Sequence, residues 1–183
     1  MQSNMPLKGE LSVGGVNVLG IMLVATLIVL VPLVAMQFTH DVVWGPIDFA
    51  VAWTLLVGTG LTYKLLARKA ENIAYRAAAG IAVATALFLV WVNLAVGIIG
   101  DEGNPANLMY GGVLAVGAIG AIIARFRPQG MSYALFATAL AQLSVGVIAL
   151  IAGLDATPML DGFLAALWVG SALLFRRAAS EHN

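Results

Sequence analysis

The chain contains no cysteine, two histidines and few charged residues. The missing cysteine excludes disulfides, thiolate metal sites and a thiol nucleophile together. Its imidazoles are His40 and His182, and with His182 beside Asn183 a bis-histidine haem cannot be assembled inside a bundle from one chain. No Gly-x-Ser-x-Gly, His-Glu-x-x-His or Gly-rich phosphate loop with its lysine occurs. Asp, Glu, Lys, Arg and His are also missing from the middle of every long apolar run, where pumps and proton-coupled carriers keep an ionisable group despite its cost. The chain is therefore expected not to be an enzyme and to hold no cofactor.

What is there is apolar. Of 183 residues 61% are hydrophobic and 10% charged, and the mean hydropathy is +0.97. A soluble domain of this size cannot hide that much apolar surface. Runs long enough to cross a hydrocarbon core of about 30 Å recur. They fall at about 16–36, 46–66, 77–99, 105–124, 131–153 and 158–175. The expected fold is all-α, a polytopic transmembrane bundle of six spans forming a single domain over 1–183. The first run is full length and Leu33-Val34-Ala35 is a poor cleavage site, so it reads as a span rather than a signal peptide.

Charge gives the runs a direction. Lys8, Lys64, Arg68, Lys69, Arg76, Arg125, Arg127, Arg176 and Arg177 fall in alternate connections, and Asp41, Asp48, Asp101, Glu102, Asp155 and Asp161 in the others. Positive-inside bias then predicts that both termini are cytoplasmic. The acidic turns share a plan: Gly45-Pro46, Asn104-Pro105 and Thr157-Pro158 each open an even-numbered helix. Proline at a first helical position loses no hydrogen bond, and Gly45, Asn104 and Thr157 stand as N-caps. Asp48 and Asp161 then lie in first turns facing a positive helix end.

The fourth run carries a small-residue face, Gly111, Ala115, Gly117, Gly120, Ala121 and Ala124, which predicts close helix packing in the bundle centre or at an oligomer contact. Trp44, Tyr110 and Trp168 are assigned to an aromatic belt at the acidic side, and Tyr63, Tyr75 and Tyr133 to one at the basic side. The basic segment 64–76 is suited to lie along anionic headgroups.

Four groups of residues could carry chemistry. Asn93 and Gln142 are the candidates for an intramembrane polar path, and bonding to a neighbouring helix is the simpler role for each. Trp91, Asn93, Asp101, Glu102, Asn104 and Asn107 gather at one outer mouth, where four of them could offer hard oxygens to a divalent cation. Topology alone also explains the acids. Asn104-Pro105-Ala106 is a single copy of the tripeptide that aquaporins carry twice, and an N-cap followed by proline accounts for it. Met36, His40, Met109 and Met159 combine thioethers and an imidazole that suit Cu(I), although methionine at helix ends is also ordinary packing.

The segments Asp41-Val42-Val43-Trp44-Gly45-Pro46-Ile47-Asp48-Phe49 and Trp91-Val92-Asn93-Leu94-Ala95-Val96-Gly97-Ile98-Ile99-Gly100, with Asp101–Tyr110 after them, resemble an uncharacterised family of small bacterial multi-pass membrane proteins. That resemblance runs from about Asp41 to Arg127 and implies a bacterial cytoplasmic (inner) membrane. The expected function is a non-enzymatic accessory or scaffold subunit, with the bilayer and a membrane protein or second copy as partners and no nucleic acid. A small permease or channel for a neutral solute is the alternative, and an outer-face metal-binding membrane protein the third class.

Overall fold

A computed structural model describes residues 17–38, 44–68 and 72–181. Among them are α1 (Val18–Ala35), α2 (Pro46–Ala67), α3 (Ile73–Ala95), α4 (Met109–Ile123), α5 (Pro128–Ile151) and α6 (Pro158–Ser180). No strand occurs among the described residues; one isolated bridge pairs Ile99 with Ala156. Among the described residues six helical segments are long and apolar enough to cross a membrane, the fourth being counted from Pro105.

The chain divides into two compact units, Met1–Trp53 and Thr54–Asn183, with the boundary inside α2. In the first unit, Asn17 caps α1 by accepting from the Leu19 amide. The Trp53 indole donates to Thr26 Oγ1 at 3.1 Å, and α1 buries Ile21 and Ala25. Gly45 and Asp48 begin α2 as expected, the Gly45 amide donating to Asp48 Oδ2 at 2.7 Å.

The second unit holds the core. There α6 packs along both α3 and α5, and α4 packs along α5, so α5 and α6 occupy the middle and α4 an edge. The small-residue face of α4 therefore does not place that helix at the centre. Part of it serves α5: a Cβ on Gly117 would approach Thr138 Oγ1 to 3.1 Å, and one on Gly120 would come within 2.7 Å of the Ala134 Cβ. Ala121 and Ala124 lie against the same core, whereas Gly111 and Ala115 are exposed. Small side chains also meet between α3 and α6, where Ala78, Ala79, Ala82 and Ala172 are all buried. That proximity lets Ser171 Oγ donate to the Ala78 carbonyl at 2.7 Å, an interhelical bond of the kind expected in apolar surroundings.

Helix ends differ from the hydropathy boundaries where side chains cap them. α3 begins at Ile73 rather than Ala77 because Asn72 Oδ1 accepts from the Tyr75 amide at 2.8 Å. It ends at Ala95, short of Ile99, as the chain turns through Gly97 at φ +73°. A 3-10 turn, Pro105–Leu108, precedes α4. α5 starts at Pro128, before Met131, and α6 continues past Phe175 to Ser180. Apolar composition marks what a bilayer could cover, whereas the backbone hydrogen-bond ladder continues until a cap or a turn stops it.

Two residues in the left-handed region, Arg125 (φ 49°) and Phe126 (φ 59°), join α4 to α5. Neither is glycine, so the turn needs outside support. The Phe126 amide reaches back to the Ala121 carbonyl at 3.2 Å, and the Phe126 carbonyl accepts from the Tyr75 hydroxyl at 2.9 Å. Tyr75 is buried edge-on against Phe175 with centroids 4.9 Å apart. Tyr75→Phe keeps that packing and removes the bond; the expected loss is about 1 kcal/mol, read from thermal unfolding in detergent. An unchanged midpoint would show that the turn stands without Tyr75.

Candidate functional site

At the acidic end of the second unit, two loops are bound to one another. The 96–104 loop leaves α3 and the 152–157 loop joins α5 to α6. The Gly100 amide donates to the Asp155 carbonyl at 2.7 Å, and Thr157 Oγ1 donates to the Ile98 carbonyl at 3.3 Å. Thr157 stands at the N-cap position expected for it, but its hydroxyl makes this loop contact and caps nothing.

Asn107 holds the first loop. Its Oδ1 accepts from the amides of Ile98 (3.0 Å) and Ile99 (2.9 Å). Its Nδ2 donates to the carbonyls of Ile99 (3.2 Å) and Asp101 (2.7 Å). Both acceptor lone pairs and both N–H donors of the amide are thereby directed at backbone, and the residue is 5% exposed. Asn93 Nδ2 donates to the Asn107 carbonyl at 3.1 Å, tying α3 to the same point. Asn104 caps the 3-10 turn by accepting from the Ala106 amide at 3.0 Å.

The expected outer-mouth group thus separates by role. Asn93, Asn104 and Asn107 build the loop, with the Asp101 backbone as one of its acceptors. The side chains of Asp101 and Glu102 are on exposed residues, and Trp91 is half-buried on α3.

Beneath the loops lies a buried carboxylate. Asp161, in the first turn of α6, is 2% exposed. Its Oδ1 accepts from Gln142 Nε2 at 2.7 Å and from the Tyr110 hydroxyl at 3.0 Å; the same hydroxyl stands 3.2 Å from Oδ2. Gln142 on α5 is 0% exposed and Tyr110 on α4 1%. Three helices therefore meet at one side chain. Room for it comes from Gly146 on α5, where a Cβ would lie 2.7 Å from Asp161 Oδ2. The positive end of α6 and the two neutral donors offset part of the cost of taking a carboxylate out of water.

The sequence places Asp161 in this first turn, facing the positive helix end, without showing that it is buried, and it assigns Tyr110 and Trp168 to a belt at the membrane interface. Both aromatic residues are instead core: Trp168 is 3% exposed. A belt requires a ring facing lipid and a wet polar tip, and here the rings face other helices. The signal that could have exposed the carboxylate is Gly146, a glycine in mid-helix with no turn to explain it.

Among the described residues three buried side-chain polar atoms lack a hydrogen-bond partner: Asn93 Oδ1, Gln142 Oε1 and Trp168 Nε1. Asn93 and Gln142, proposed together as a path, belong to separate interhelical bonds, one at Asn107 and one at Asp161. Of the proposed metal ligands, Met36 caps α1 in the first unit, and Met109 and Met159 belong to the second, half-buried and exposed respectively. His40 lies outside the described residues. Among the described residues no group of three or more His, Asp or Glu side chains is placed to hold a metal ion. Comparison with protein-family models, curated proteins and solved structures finds no match for this chain.

Proposed function

We infer that the chain is a non-enzymatic, multi-pass protein of the bacterial cytoplasmic membrane, a member of the small-protein family it resembles, and an accessory or scaffold subunit. The observation that carries the reading is the direction of the deep polar side chains. Asp161, Gln142, Tyr110, Asn93 and Asn107 bond across helices and loops, a use that fixes helix register. The exposed part of the α4 stripe supports a partner, since a Cβ at Gly111 or Gly112 would meet nothing within 4 Å and another helix can approach closely. Positive-inside bias orients the basic ends of the helices, and both termini, toward the cytoplasm.

Native mass spectrometry of gently extracted protein tests this. A stoichiometric second membrane polypeptide, or a second copy, is expected, and the double substitution Gly111→Leu with Ala115→Leu should release it while the helical circular dichroism stays unchanged. A monomer that moves a solute into liposomes would sink the reading. That result would favour the second one, a small permease for a neutral solute, whose supporting observation is the pair of unpartnered buried acceptors Asn93 Oδ1 and Gln142 Oε1. For a permease, Asn93→Leu or Gln142→Leu would abolish flux in a protein that remains folded.

A further inference from the structure

At the basic end of the second unit, a groove of about 610 Å³ opens beside the start of α3. Its walls are Tyr63 near the end of α2 and Ile73, Arg76, Ala77, Gly80, Ile81 and Ala84 of α3. The α3 positions recur at helical spacing, so they form one stripe along a single face. From Arg76 to Ala84 that stripe descends by about 12 Å. Its character changes along the way: a guanidinium stands at the mouth, and only apolar or small groups lie below it. The Tyr63 ring lies across Gly80, whose missing side chain lets it sit there; a Cβ on Gly80 would be 3.5 Å from Tyr63 Cε2.

We propose that this groove binds one anionic phospholipid, with its phosphate at Arg76 and an acyl chain along Gly80, Ile81 and Ala84. The polarity gradient matches that of a phospholipid entering from one leaflet. Charge matches as well. Lys64 and Arg68 lie at the adjoining end of α2, and the one ion pair among the described residues, Arg177–Glu181, reaches the start of α3 through Asn72 and does not include Arg76. Basic pockets between helices on the cytoplasmic side favour anionic headgroups for this reason. A second copy of the chain is a poor occupant, because it would bring its own Arg76 to meet like charge.

Lipid titration of the full chain followed by native mass spectrometry tests the proposal. Wild type is expected to bind phosphatidylglycerol in preference to phosphatidylcholine. Arg76→Gln should lower the phosphatidylglycerol affinity about fivefold, lower phosphatidylcholine less because its choline already offsets the phosphate charge, and be largely restored by Arg76→Lys. Ala84→Trp, which fills the apolar floor, should weaken both lipids. Circular dichroism of each variant confirms that it is folded. Equal affinity of wild type for the two lipids would overturn the proposal, as would unchanged phosphatidylglycerol binding by Arg76→Gln. Displacement of the lipid by millimolar inorganic phosphate would reduce the site to a simple anion site and overturn the lipid assignment.

Discussion

Asn107→Leu is expected to destabilise the second unit by about 4 kcal/mol, the largest effect of any single exchange at the acidic end. Leucine is close in size and would fill the space, but it cannot bond. Four backbone groups, the amides of Ile98 and Ile99 and the carbonyls of Ile99 and Asp101, would lose their partner at once. Ile98 and Ile99 are themselves buried, at 1% and 0% exposure, so water cannot replace the lost bonds without opening the loop. The opened loop would also release its bonds to Asp155 and Thr157. Asn104→Ala is the control, since it removes a single cap bond and should cost about 1 kcal/mol. Denaturant titration in mixed micelles reads both. If Asn107→Leu proved as mild as Asn104→Ala, the loop would be held by its neighbours and the role given to Asn107 would be wrong.

The second large effect concerns Asp161. Asp161→Ala is expected to cost about 3 kcal/mol, because it strands the Gln142 amide and the Tyr110 hydroxyl in a packed interior. Asp161→Asn should stay within about 1 kcal/mol of the wild type, since a neutral amide of the same shape still accepts a hydrogen bond and avoids burying a charge. Gly146 gives a sharper test. Gly146→Ala alone should destabilise by about 2 kcal/mol, as its Cβ would meet Asp161 Oδ2. In an Asp161→Ala background the closest obstacle, the carboxylate, is gone and only the Cβ at 3.3 Å remains, so the two changes should couple by about 1 kcal/mol in a double-mutant cycle. Additive effects would mean that Gly146 does not make room for the carboxylate. A large loss with Asp161→Asn would instead show that the negative charge itself is required.

Both predictions rest on side chains whose importance composition did not display. Polarity and proximity in sequence group Asn107 with Asp101 and Glu102 as a polar mouth. What separates them is direction: the Asn107 amide points into the loop, and the residues bearing the two carboxylates are exposed. Asp161 had been read from its place three residues after Pro158, which is correct for a first-turn acid and silent about the face on which it falls. That face depends on Gln142 and Tyr110, contributed by other helices at separations of 19 and 51 residues. The stripe on α4 was visible as Gly and Ala spacing, yet spacing could not say that Gly117 and Gly120 would meet α5 while Gly111 remained exposed.

The sequence by itself determined the helical class, the number of apolar helices and most of their proline-led starts. Hydropathy over some 20 residues and capping within one turn are local properties, carried by consecutive side chains and the backbone beside them. Only the tertiary structure decided that α5 and α6 lie in the middle of the second unit, that Asn107 joins the loop to α3, that a carboxylate is buried at the acidic end, and that a groove opens at Arg76. Those outcomes depend on the rotation and register of one helix against another. Register is set by the sum of many small packing contacts between residues distant in the chain, and no local pattern contains that sum.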